Sequence, residues 1–600
     1  ISARKQERKN WNCEQPGNQK TEIYHVLHQA GFEYQGCYQI FNSYQYKDHS
    51  WNFIPNISVA NETSIVDAAF QAALFVVYQQ GQIDMTKYQN LPYYCGRIQI
   101  SSDLMNTKVI TLEERDISVK GNDIYATVKG FNAAGETTIV IENAVLKHVK
   151  RKSREENTIC RTIKERASFY GVGWKKKKLE VVEAFQERAA IILSEHGTKL
   201  AEELEAHYRQ IHPMSYSHMS EEGCLTCFQE ILTQQGNDKN GVDIYLYLEL
   251  TDHKRLNSED IYEEFYKRVN VTLYIAKGLS KIRHQGNIRI LVLSDDKGDS
   301  NNNIISCGVA GFLRSAVKEL AKTQFKYVSM MDALSLEDLA RVMVRECQAI
   351  GDCQIISYQK GQRYIEAYVK YENGVSGKSE AGIQADGAYI ITGGAGKLGL
   401  KVAAGLIAKG VRSIVLLGRR KPSAEITEKV KGLSLGSGNV VYQSCDITDR
   451  QQLARMLESI KETYGQIKGI VHAAGVLNDG LLGSKTKDSM EPVIKTKVYG
   501  SLLLHELTKN EPLQFFMTFS SIVSCIGNVG QADYSAANYF LDCLTEFRYN
   551  RNASGKSISI NWSLWEDGGM GLTEQHKRIF SNKTGLLRGN DEIKSILDAL

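Results

Sequence analysis

The alternation of apolar and polar positions divides the chain into three parts of different character. Within about 21–149, short runs alternate apolar with polar positions at 108–112, 124–129 and 137–146. Such alternation predicts half-buried strands, whereas the apolar spacing over 65–79 predicts a helix. The first part is therefore expected to be an α+β lobe rich in strands.

The second part, about 168–373, alternates continuous apolar runs with helical patterns. We expect helices over 200–210 and 311–322. The turn at 194–200 reads S-E-H-G-T-K-L and lacks the glycine pattern that holds a dinucleotide. The runs typical of buried strands in a parallel sheet are 190–193, 243–250, 289–293 and 327–331. This part is predicted to have the topology of a dinucleotide-binding fold without its cradle.

The third part, from about residue 386 onward, repeats this alternation and contains a glycine-rich turn. Residues 388–400 read A-Y-I-I-T-G-G-A-G-K-L-G-L, which predicts a buried strand, a turn and a helix. Gly394, Gly396 and Gly399 satisfy G-x-G-x-x-G, where a Cβ would keep the backbone N–H groups away from a pyrophosphate. A glycine-rich match alone also fits a structural turn, but this context favours dinucleotide binding at the helix N-terminus.

The strand after this turn, 413–418, ends just before two arginines. An acidic residue near this position normally accepts a hydrogen bond from the ribose of NAD, whereas Arg419 and Arg420 suit bidentate contact with a 2′-phosphate. We therefore predict NADPH, with a solvated arginine pair as the alternative. Asp446, at the end of a third strand, is expected near the adenine amine, and the small residues of 472–475 near the ribose.

Composition and charge exclude several classes of protein. The 600 residues predict about four domains, and the 42% hydrophobic and 24% charged fractions argue against disorder. A net charge of +4 does not indicate a nucleic-acid partner, and the basic runs at 147–154 and 175–178 are interpreted as solvated rather than as nucleic-acid patches. No apolar run approaches the roughly 18 residues that a membrane helix needs.

The cysteines and the ends of the chain add three expectations. Twelve scattered cysteines indicate free thiols in a reducing cytoplasm. Cys224 and Cys227 form a C-x-x-C without a second pair at zinc spacing, so we expect ordinary packing and no metal. Because the chain opens on Ile1 rather than Met and ends in a helical pattern, we expect it to be part of a longer protein.

Three side chains of the third part form the set that carbonyl reduction requires. Tyr534 lies thirteen residues after Ser521, and Lys497 lies twenty-four residues before Ser521. Hydride addition leaves negative charge on the carbonyl oxygen, which a serine hydroxyl stabilises and a phenol protonates. A neighbouring ammonium is expected to bring the pKa of that phenol nearer to 7. Asn538 shares a helix face with Tyr534. Each residue alone is more often structural, but behind a cofactor turn they jointly predict a reductase.

From residue 386 the chain resembles the short-chain dehydrogenase/reductase superfamily and, within it, the ketoreductase domains of modular polyketide synthases. The motifs that carry the resemblance are T-G-G-A-G-K-L-G at 392–399, H-A-A-G at 472–475, K-T-K-V-Y-G at 495–500, F-S-S at 519–521 and Y-S-A-A-N at 534–538. Most of the superfamily has Tyr-x-x-x-Lys, whereas these ketoreductases have Tyr-x-x-x-Asn and an earlier lysine, which Lys497 and Asn538 match. Lys397 departs from the glycine that is common in the superfamily.

The resemblance implies an activity and a set of site residues. NADPH would reduce a keto-acyl chain, thioesterified to an acyl carrier protein, to the hydroxyacyl thioester. Tyr534 would donate the proton, Lys497 would tune Tyr534, Ser521 would bind the oxyanion and Asn538 would order the site. The implied cofactor-binding residues are Thr392, Gly393, Gly394, Gly396, Lys397, Leu398, Gly399, Arg419, Arg420, Asp446, Ile447, Ala473, Ala474 and Gly475. The alternative from another class is a non-reducing scaffold that binds cofactor or carrier protein without turnover.

The resemblance also concerns the substrate side of the site. The L-N-D sequence at 477–479 is similar to the L-D-D motif of domains that deliver a D-configured hydroxyl, and Ile526 stands where the opposite class has tryptophan. A glycine-rich hinge of a substrate lid is implied at 566–571. The residues expected to orient the substrate are Leu477, Asp479, Gln531 and Met570.

The first lobe resembles the second hotdog of a polyketide dehydratase. Asp67 and Gln71 match the spacing of that family's assisting residues, but Glu62 and Thr63 stand where His-Pro is expected. No histidine of the lobe begins the family's other histidine motif. We expect a dehydratase-like remnant that packs or dimerises, and the alternative is half of an enzyme completed by residues before Ile1.

Together these expectations define an organisation for the chain. The fold class is α/β, with two Rossmann-like doubly wound parallel-sheet subdomains preceded by an α+β hotdog-like lobe. The expected boundaries are 1–150 for the lobe, 151–167 for a basic linker, 168–380 for a structural subdomain without cofactor and 381–600 for the catalytic NADPH-binding subdomain. Neighbouring synthase domains and a carrier protein are the expected partners, the location is expected to be cytoplasmic, and a homodimer is left open.

Overall fold

The computed structural model divides into two compact units, Ile1–Glu165 and Arg166–Leu600. The residues that it describes are 19–29, 39–56, 60, 62–79, 88–94, 97–120, 123–150, 170–179, 188–195, 197–216, 220–234, 241–249, 256–281, 287–297, 302–320, 322–349, 354–370, 383–434, 439–563, 565 and 590–599. Within these ranges, no helix combines the length and the apolar character needed to cross a membrane.

The first unit is an antiparallel sheet with a long helix packed on it. Its helices are α1 (Gln19–Gln29) and α2 (Glu62–Gln79). Its strands are β1 (Phe41–Lys47), β2 (Ser50–Pro55), β3 (Tyr88–Tyr94), β4 (Arg97–Ile100), β5 (Val109–Glu113), β6 (Ile117–Lys120), β7 (Asp123–Phe131) and β8 (Thr137–Lys150). The order is β1-β2-β5-β7-β8-β3, with β4 on β8 and β6 on β7. Phe75 of α2 packs edge-on against Phe53. The helix and the three strands predicted from the apolar pattern are therefore confirmed.

The second unit begins with an eight-stranded sheet, called sheet I here. Its strands are β9 (Tyr170–Lys176), β10 (Ala189–Leu193), β11 (Gln210–Met214), β12 (Val242–Leu248), β13 (Ile288–Asp295), β14 (Thr323–Met330), β15 (Ile355–Gln359) and β16 (Gln362–Lys370). Its helices are α3 (Gly197–Leu204), α4 (Glu221–Gln234), α5 (Ser258–Lys281), α6 (Asn302–Ala316) and α7 (Leu336–Gln348). The order is β11-β10-β12-β13-β14-β15-β16-β9. Pairing is parallel from β11 to β15 and antiparallel at β16 and β9.

Two helix predictions in this region are wrong. The helix expected over 200–210 ends at Leu204, and Gln210–Met214 forms β11, because these residues pair with the edge of β10. The edge position also tolerates Pro213, which has no N–H to donate. The helix expected over 311–322 lies earlier, since α6 ends at Ala316 and β14 begins at Thr323.

The second sheet of this unit, sheet II, is entirely parallel. Its strands are β17 (Ala388–Thr392), β18 (Ser413–Gly418), β19 (Asn439–Ser444), β20 (Ile467–His472), β21 (Phe515–Ser521) and β22 (Lys556–Trp562). The order β19-β18-β17-β20-β21-β22 is that of a Rossmann sheet, which places the topological switch point between β17 and β20. Ligands bind at the carboxyl ends of the strands beside such a point.

Sheet II carries a helix after most of its strands. These helices are α8 (Lys397–Ala408), α9 (Ala424–Ser434), α10 (Arg450–Tyr464), α11 (Lys487–Ile494), α12 (Gly500–Leu507), α13 (Ile522–Ile526), α14 (Ala532–Asn550) and α15 (Asn590–Ala599). A single π-helical turn, Lys495–Tyr499, joins α11 to α12. Such turns are rare and recur at functional positions.

The two sheets of the second unit share a helix interface formed by α6 and α14. A Cβ on Gly311 of α6 would lie 2.8 Å from the Ser535 carbonyl oxygen and 2.9 Å from the Ala536 Cα, so glycine permits this close approach. Arg314 of α6 is buried and lies 4.7 Å from the centroid of the Tyr539 ring. The position of α14 is therefore determined partly by the helices of sheet I.

Candidate functional site

The glycine-rich turn between β17 and α8 leaves no room for side chains. A Cβ on Gly399 would lie 2.6 Å from the Gly394 Cα, and one on Gly394 would lie 2.7 Å from the Leu416 Cβ. Gly393 has φ +65°, in the region that favours glycine. Gly396 caps the N-terminus of α8 without a side-chain hydrogen bond. The turn brings its backbone and a helix N-terminus to the switch point, which fits a bound pyrophosphate.

Hydrogen bonds join β17 to β20 directly beneath this turn. The Ala473 N–H donates to the Thr392 carbonyl oxygen over 3.2 Å, and the Ala474 N–H donates to the Thr392 Oγ1 over 3.2 Å. Thr392 Oγ1 also lies 2.8 Å from His472 Nδ1. Burial and the positive charge of Lys497 lower the pKa of His472 to about 3, so this imidazole is neutral. The predicted residues Thr392, Ala473 and Ala474 thus lie together at the crevice.

The two arginines predicted to select the cofactor lie at the carboxyl end of β18. Their side chains are exposed, and their backbone carbonyls are held by neighbours on β19. Tyr442 donates to the Arg420 carbonyl oxygen over 2.6 Å, and Ser444 Oγ donates to that of Arg419 over 3.3 Å. Within the described part of the chain neither guanidinium forms an ion pair, so both are available to an anionic ligand.

Asp446 lies in the loop after β19 and is ordered by its neighbours. Its Oδ1 accepts from the Thr448 N–H over 2.9 Å and from the Thr448 hydroxyl over 2.8 Å. Its own N–H donates to Gln452 Oε1. Gln452 was not predicted as a site residue; its contact depends on the turn into α10. Ile447, beside Asp446, is buried and packs under Gly500.

Lys497 lies on the π-helical turn and is almost fully buried. Its Nζ donates to the Phe519 carbonyl oxygen over 2.9 Å and lies 5.5 Å from the centroid of the Tyr534 ring. Burial lowers the pKa of Lys497 to about 8, although the Asp542 carboxylate acts in the opposite direction. The lysine is therefore brought to the tyrosine, as the spacing predicted, with an ammonium close to its titration point.

Tyr534, Ser521 and Asn538 meet where β21 ends and α14 begins. Hydrogen bonding to Ser521 and to Asn538 lowers the pKa of Tyr534, but burial outweighs both and raises it above its ordinary value. The expectation that Lys497 brings this pKa nearer to 7 is therefore wrong for the structure, because the desolvation of the phenol dominates. The phenol stays protonated at neutral pH, which is the form that can donate a proton.

Asn538 fixes the backbone of α14 at Tyr534. Its Nδ2 donates to the Tyr534 carbonyl oxygen over 2.6 Å, and its buried Oδ1 has no hydrogen-bond partner among the described residues. One turn further on, Asp542 is half-buried and accepts from Ser524 Oγ over 2.6 Å and from Asn561 Nδ2 over 2.7 Å. Asp542 was missed, although its four-residue spacing from Asn538 is a signal that helix periodicity offers.

Comparison with known proteins identifies a family that matches this part of the chain. A model of the family described as KR domain matches residues 387–567. This segment belongs to the KR domain family. The match covers sheet II and the polar cluster at its carboxyl edge, while α15 lies beyond it.

Relatives of the KR-containing chain include large polyketide synthases. Polyketide synthase PksN of Bacillus subtilis (strain 168) is 29% identical over 346 residues, which are 56% of this chain and 6% of PksN. Phenolphthiocerol synthesis polyketide synthase type I Pks15/1 of Mycobacterium marinum is 39% identical over 221 residues, which are 36% of this chain and 10% of that protein. The chain thus spans a tenth or less of the length of these relatives.

Solved structures that resemble the chain include two ketoreductases. An N-terminal ketoreductase from the macrolactin assembly line has a TM-score of 0.57 and 22% identity, covering 66% of this chain and 84% of that one. A ketoreductase domain from the bacillaene assembly line has a TM-score of 0.52 and 24% identity, covering 72% and 94%. These likenesses concern the fold, and they confirm the predicted Rossmann-like α/β class.

The residues predicted to orient the substrate include two on facing loops. Gln531 Nε2 donates to Asp479 Oδ2 over 2.9 Å, so these two predicted residues are in contact. Leu477 is half-buried in the same loop as Asp479. Met570 and the predicted lid hinge at 566–571 lie outside the described residues, as does the basic linker at 151–167.

The first unit contains the pair that suggested a dehydratase-like lobe. Gln71 Nε2 donates to Asp67 Oδ2 over 2.7 Å, and the Tyr24 hydroxyl donates to Gln71 Oε1 over 3.2 Å. Burial raises the pKa of Asp67. The hotdog interpretation stays a prediction. In the second unit, Cys224 is buried and the Cys227 side chain lies outside the description. The described residues contain no cluster suited to a metal.

Proposed function

We propose that this chain uses NADPH to reduce the keto group of an acyl chain held as a thioester on an acyl carrier protein. The observation that carries the proposal is the convergence of Tyr534, Ser521 and Lys497 at the carboxyl edge of a Rossmann sheet. Membership of residues 387–567 in the KR domain family supports it. The product would be the hydroxyacyl thioester within a polyketide synthase module.

The residues of the crevice fit a nicotinamide dinucleotide. A Cβ at Gly393 or Gly399 would collide with backbone atoms, so glycine at these positions lets the neighbouring backbone segments approach closely. Thr392, Ala473 and Ala474 line the switch point, and Arg419 and Arg420 offer two exposed guanidinium groups to a 2′-phosphate. When bound, NADPH supplies the hydride.

The chain's own residues then handle the ketone oxygen and its proton. The Ser521 hydroxyl donates a hydrogen bond to the developing oxyanion. The Tyr534 phenol, kept protonated by burial, transfers its proton to that oxygen. The Lys497 ammonium stabilises the phenolate that remains, and Asn538 holds the first turn of the helix that carries Tyr534.

The proton-donor role is tested with a phenylalanine variant. We expect Tyr534→Phe to slow NADPH consumption with a β-keto-acyl N-acetylcysteamine thioester by about 100-fold or more, because the phenylalanine ring has no proton to give. Tyr549→Phe is the control, since Tyr549 lies on the same helix with a side chain that is 77% exposed. Equal rates for the wild-type chain and Tyr534→Phe would make the reductase proposal wrong.

The choice of NADPH over NADH is tested by removing both guanidinium groups. Arg419→Ala combined with Arg420→Ala should raise the KM for NADPH by about tenfold, because a charge-assisted phosphate contact is lost, and should change the KM for NADH much less. Arg455→Ala, at an exposed arginine of α10, controls for the loss of positive charge. Equal effects on both cofactors would remove the 2′-phosphate argument.

The substrate and its stereochemistry are also part of the proposal. The relatives are named as polyketide synthases, which supports a carrier-bound acyl substrate and neighbouring synthase domains as partners. The likeness of the L-N-D sequence at 477–479 to the L-D-D motif is the basis for proposing a D-configured hydroxyl in the product. The hydrogen bond from Gln531 to Asp479 joins this loop to the segment that leads into the helix carrying Tyr534.

A further inference from the structure

Glu319 belongs to the sheet I region, which lacks a glycine cradle, yet its carboxylate holds two loops of the KR domain. It lies in the turn after α6 and is half-buried. Its Oε2 accepts from the Leu482 N–H over 2.8 Å, and its Oε1 accepts from the Gly530 N–H over 2.9 Å. Both oxygens of a single side chain are thus used to join two segments that are far apart in sequence.

The two segments are the loops that flank the ketone site. The first follows β20 and contains Asp479, and the second follows α13 and leads into the helix that carries Tyr534. They also touch each other directly, because the Gly480 N–H donates to the Gly530 carbonyl oxygen over 2.9 Å. With the contact between Gln531 and Asp479, this makes a short bridge between the loops. Glu319 accepts one hydrogen bond from each of the two loops that this bridge connects.

The second loop is seated on the end of α6 beside Glu319. Gly527 has φ +66°, and a Cβ on it would lie 2.2 Å from the Arg314 carbonyl oxygen. The Asn528 N–H donates to Ser315 Oγ over 3.0 Å. Arg314 and Ser315 at the end of α6, together with Glu319 in the turn after it, therefore fix the course of this loop.

The first loop has its own anchor near the sheet I region. Lys485 forms a buried ion pair with Asp533 over 2.7 Å and donates to the Asn478 carbonyl oxygen over 2.8 Å. Lys277 of α5 donates to the Lys485 carbonyl oxygen over 3.0 Å. Among the described residues, Lys277 and Glu319 both hydrogen-bond to this loop, and Glu319 also bonds the opposite loop.

The side chains next to the two bonded N–H groups are exposed and apolar. Leu481 precedes Leu482 and is 58% exposed, and Val529 precedes Gly530 and is 49% exposed. A shift of either backbone segment would move one of these side chains relative to the other. Because hydrogen bonds to an ionised carboxylate are short and strong, two of them hold such segments more firmly than neutral contacts do.

We propose that Glu319 is a positioning residue that sets the separation of the two substrate-flanking loops and thereby the face on which the ketone is presented. This rests on the proposed ketoreduction. Through Glu319, the region without a cofactor cradle contributes to substrate specificity as well as to the support of α14.

The proposal is tested in the full chain with Glu319→Gln and Glu319→Ala, and with Lys318→Ala as the control at the exposed neighbouring position. The glutamine keeps the size of the side chain but presents an NH2 group to one of the two backbone donors. We expect amide hydrogen exchange at peptides containing Leu482 and Gly530 to become about tenfold faster in both Glu319 variants. We expect the KM for the keto-acyl thioester to rise about tenfold, and the share of the minor hydroxyl configuration to increase, while kcat with the Tyr534 machinery intact changes less.

The outcomes separate this proposal from the proposed function. The role of Glu319 would be overturned if Glu319→Gln had the same amide exchange rates as the wild-type chain at both peptides. It would also be overturned if this variant kept the wild-type KM and product configuration. A wild-type chain that fails to reduce any keto-acyl thioester would count against the proposed function, and the exchange measurement would still decide whether Glu319 holds the loops. An equal effect of Lys318→Ala would also contradict the proposal.

Discussion

Lys497 shows how burial alone adjusts a side chain for proton chemistry. The ammonium is desolvated on the π-helical turn and is bonded to one backbone carbonyl, so its pKa is lowered to about 8. Asp542 opposes this shift through its negative charge. Tyr534 is shifted the other way, because desolvation disfavours a charged phenolate as it disfavours a charged ammonium. At neutral pH the Lys497 ammonium therefore offers three N–H donors, and the Tyr534 phenol offers one O–H donor.

A pH profile tests this arrangement of charges. The phenol stays protonated throughout the neutral range, so the activity should follow the loss of the Lys497 proton and kcat/KM should fall as pH rises through about 8. Removing the negative charge with Asp542→Asn should move this midpoint to lower pH, because the carboxylate raises the pKa of Lys497. A midpoint near 10, or one that stays in place in Asp542→Asn, would contradict the account.

Individual residues differed in how far the sequence could identify them. Ser521, Tyr534, Asn538 and Lys497 were predicted because their chemistry and spacing are local to motifs. Glu319 could not be predicted, because its partners Leu482 and Gly530 are backbone groups more than 160 residues away. The direction of the Tyr534 pKa was wrong because burial is a property of the fold and not of the motif.

At the scale of elements, the glycine-rich turn is needed for the packing of α8 as well as for the proposed cofactor binding. Gly399 on α8 lies against Gly394 in the turn after β17, so the helix meets this turn without a side chain between them. This contact requires the glycine spacing, which is why the element was predictable. The edge strand β11 was not, because Gln210–Met214 has no apolar run and becomes a strand by pairing with β10.

Adding one methyl group tests the turn. Gly399→Ala would place a Cβ 2.6 Å from backbone, so we expect a loss of about 2 kcal/mol in the free energy of unfolding and weaker NADPH binding. Gly432→Ala is the matched control on α9, where an added Cβ meets nothing within 4 Å and should stabilise the helix slightly. Calorimetry and cofactor titration measure both effects, and unchanged NADPH affinity in Gly399→Ala would contradict the cradle.

At the scale of the whole molecule, the two α/β sheets of the second unit are proposed to have different roles, with the cofactor and the ketone bound beside sheet II. The alternation of apolar runs predicted both sheets, and the absence of a cofactor site beside sheet I stays a prediction. How the two regions meet could not be predicted, since the approach of α6 to α14 depends on Gly311 facing the backbone of another helix. Through that interface and the two hydrogen bonds of Glu319, the sheet I region supports the loops and the helix around Tyr534.

The proposed reduction requires Tyr534, Ser521 and Lys497 to act together on one ketone beside a bound nicotinamide. The most direct measurement is transfer of deuterium from NADPH that carries deuterium at both C4 positions to a β-keto-acyl thioester, followed by mass spectrometry of the product. This joint action predicts one deuterium on the carbinol carbon with the wild-type chain and with Tyr549→Phe, and almost none in the same time with Tyr534→Phe. Full transfer by Tyr534→Phe, or none by the wild-type chain, would contradict it.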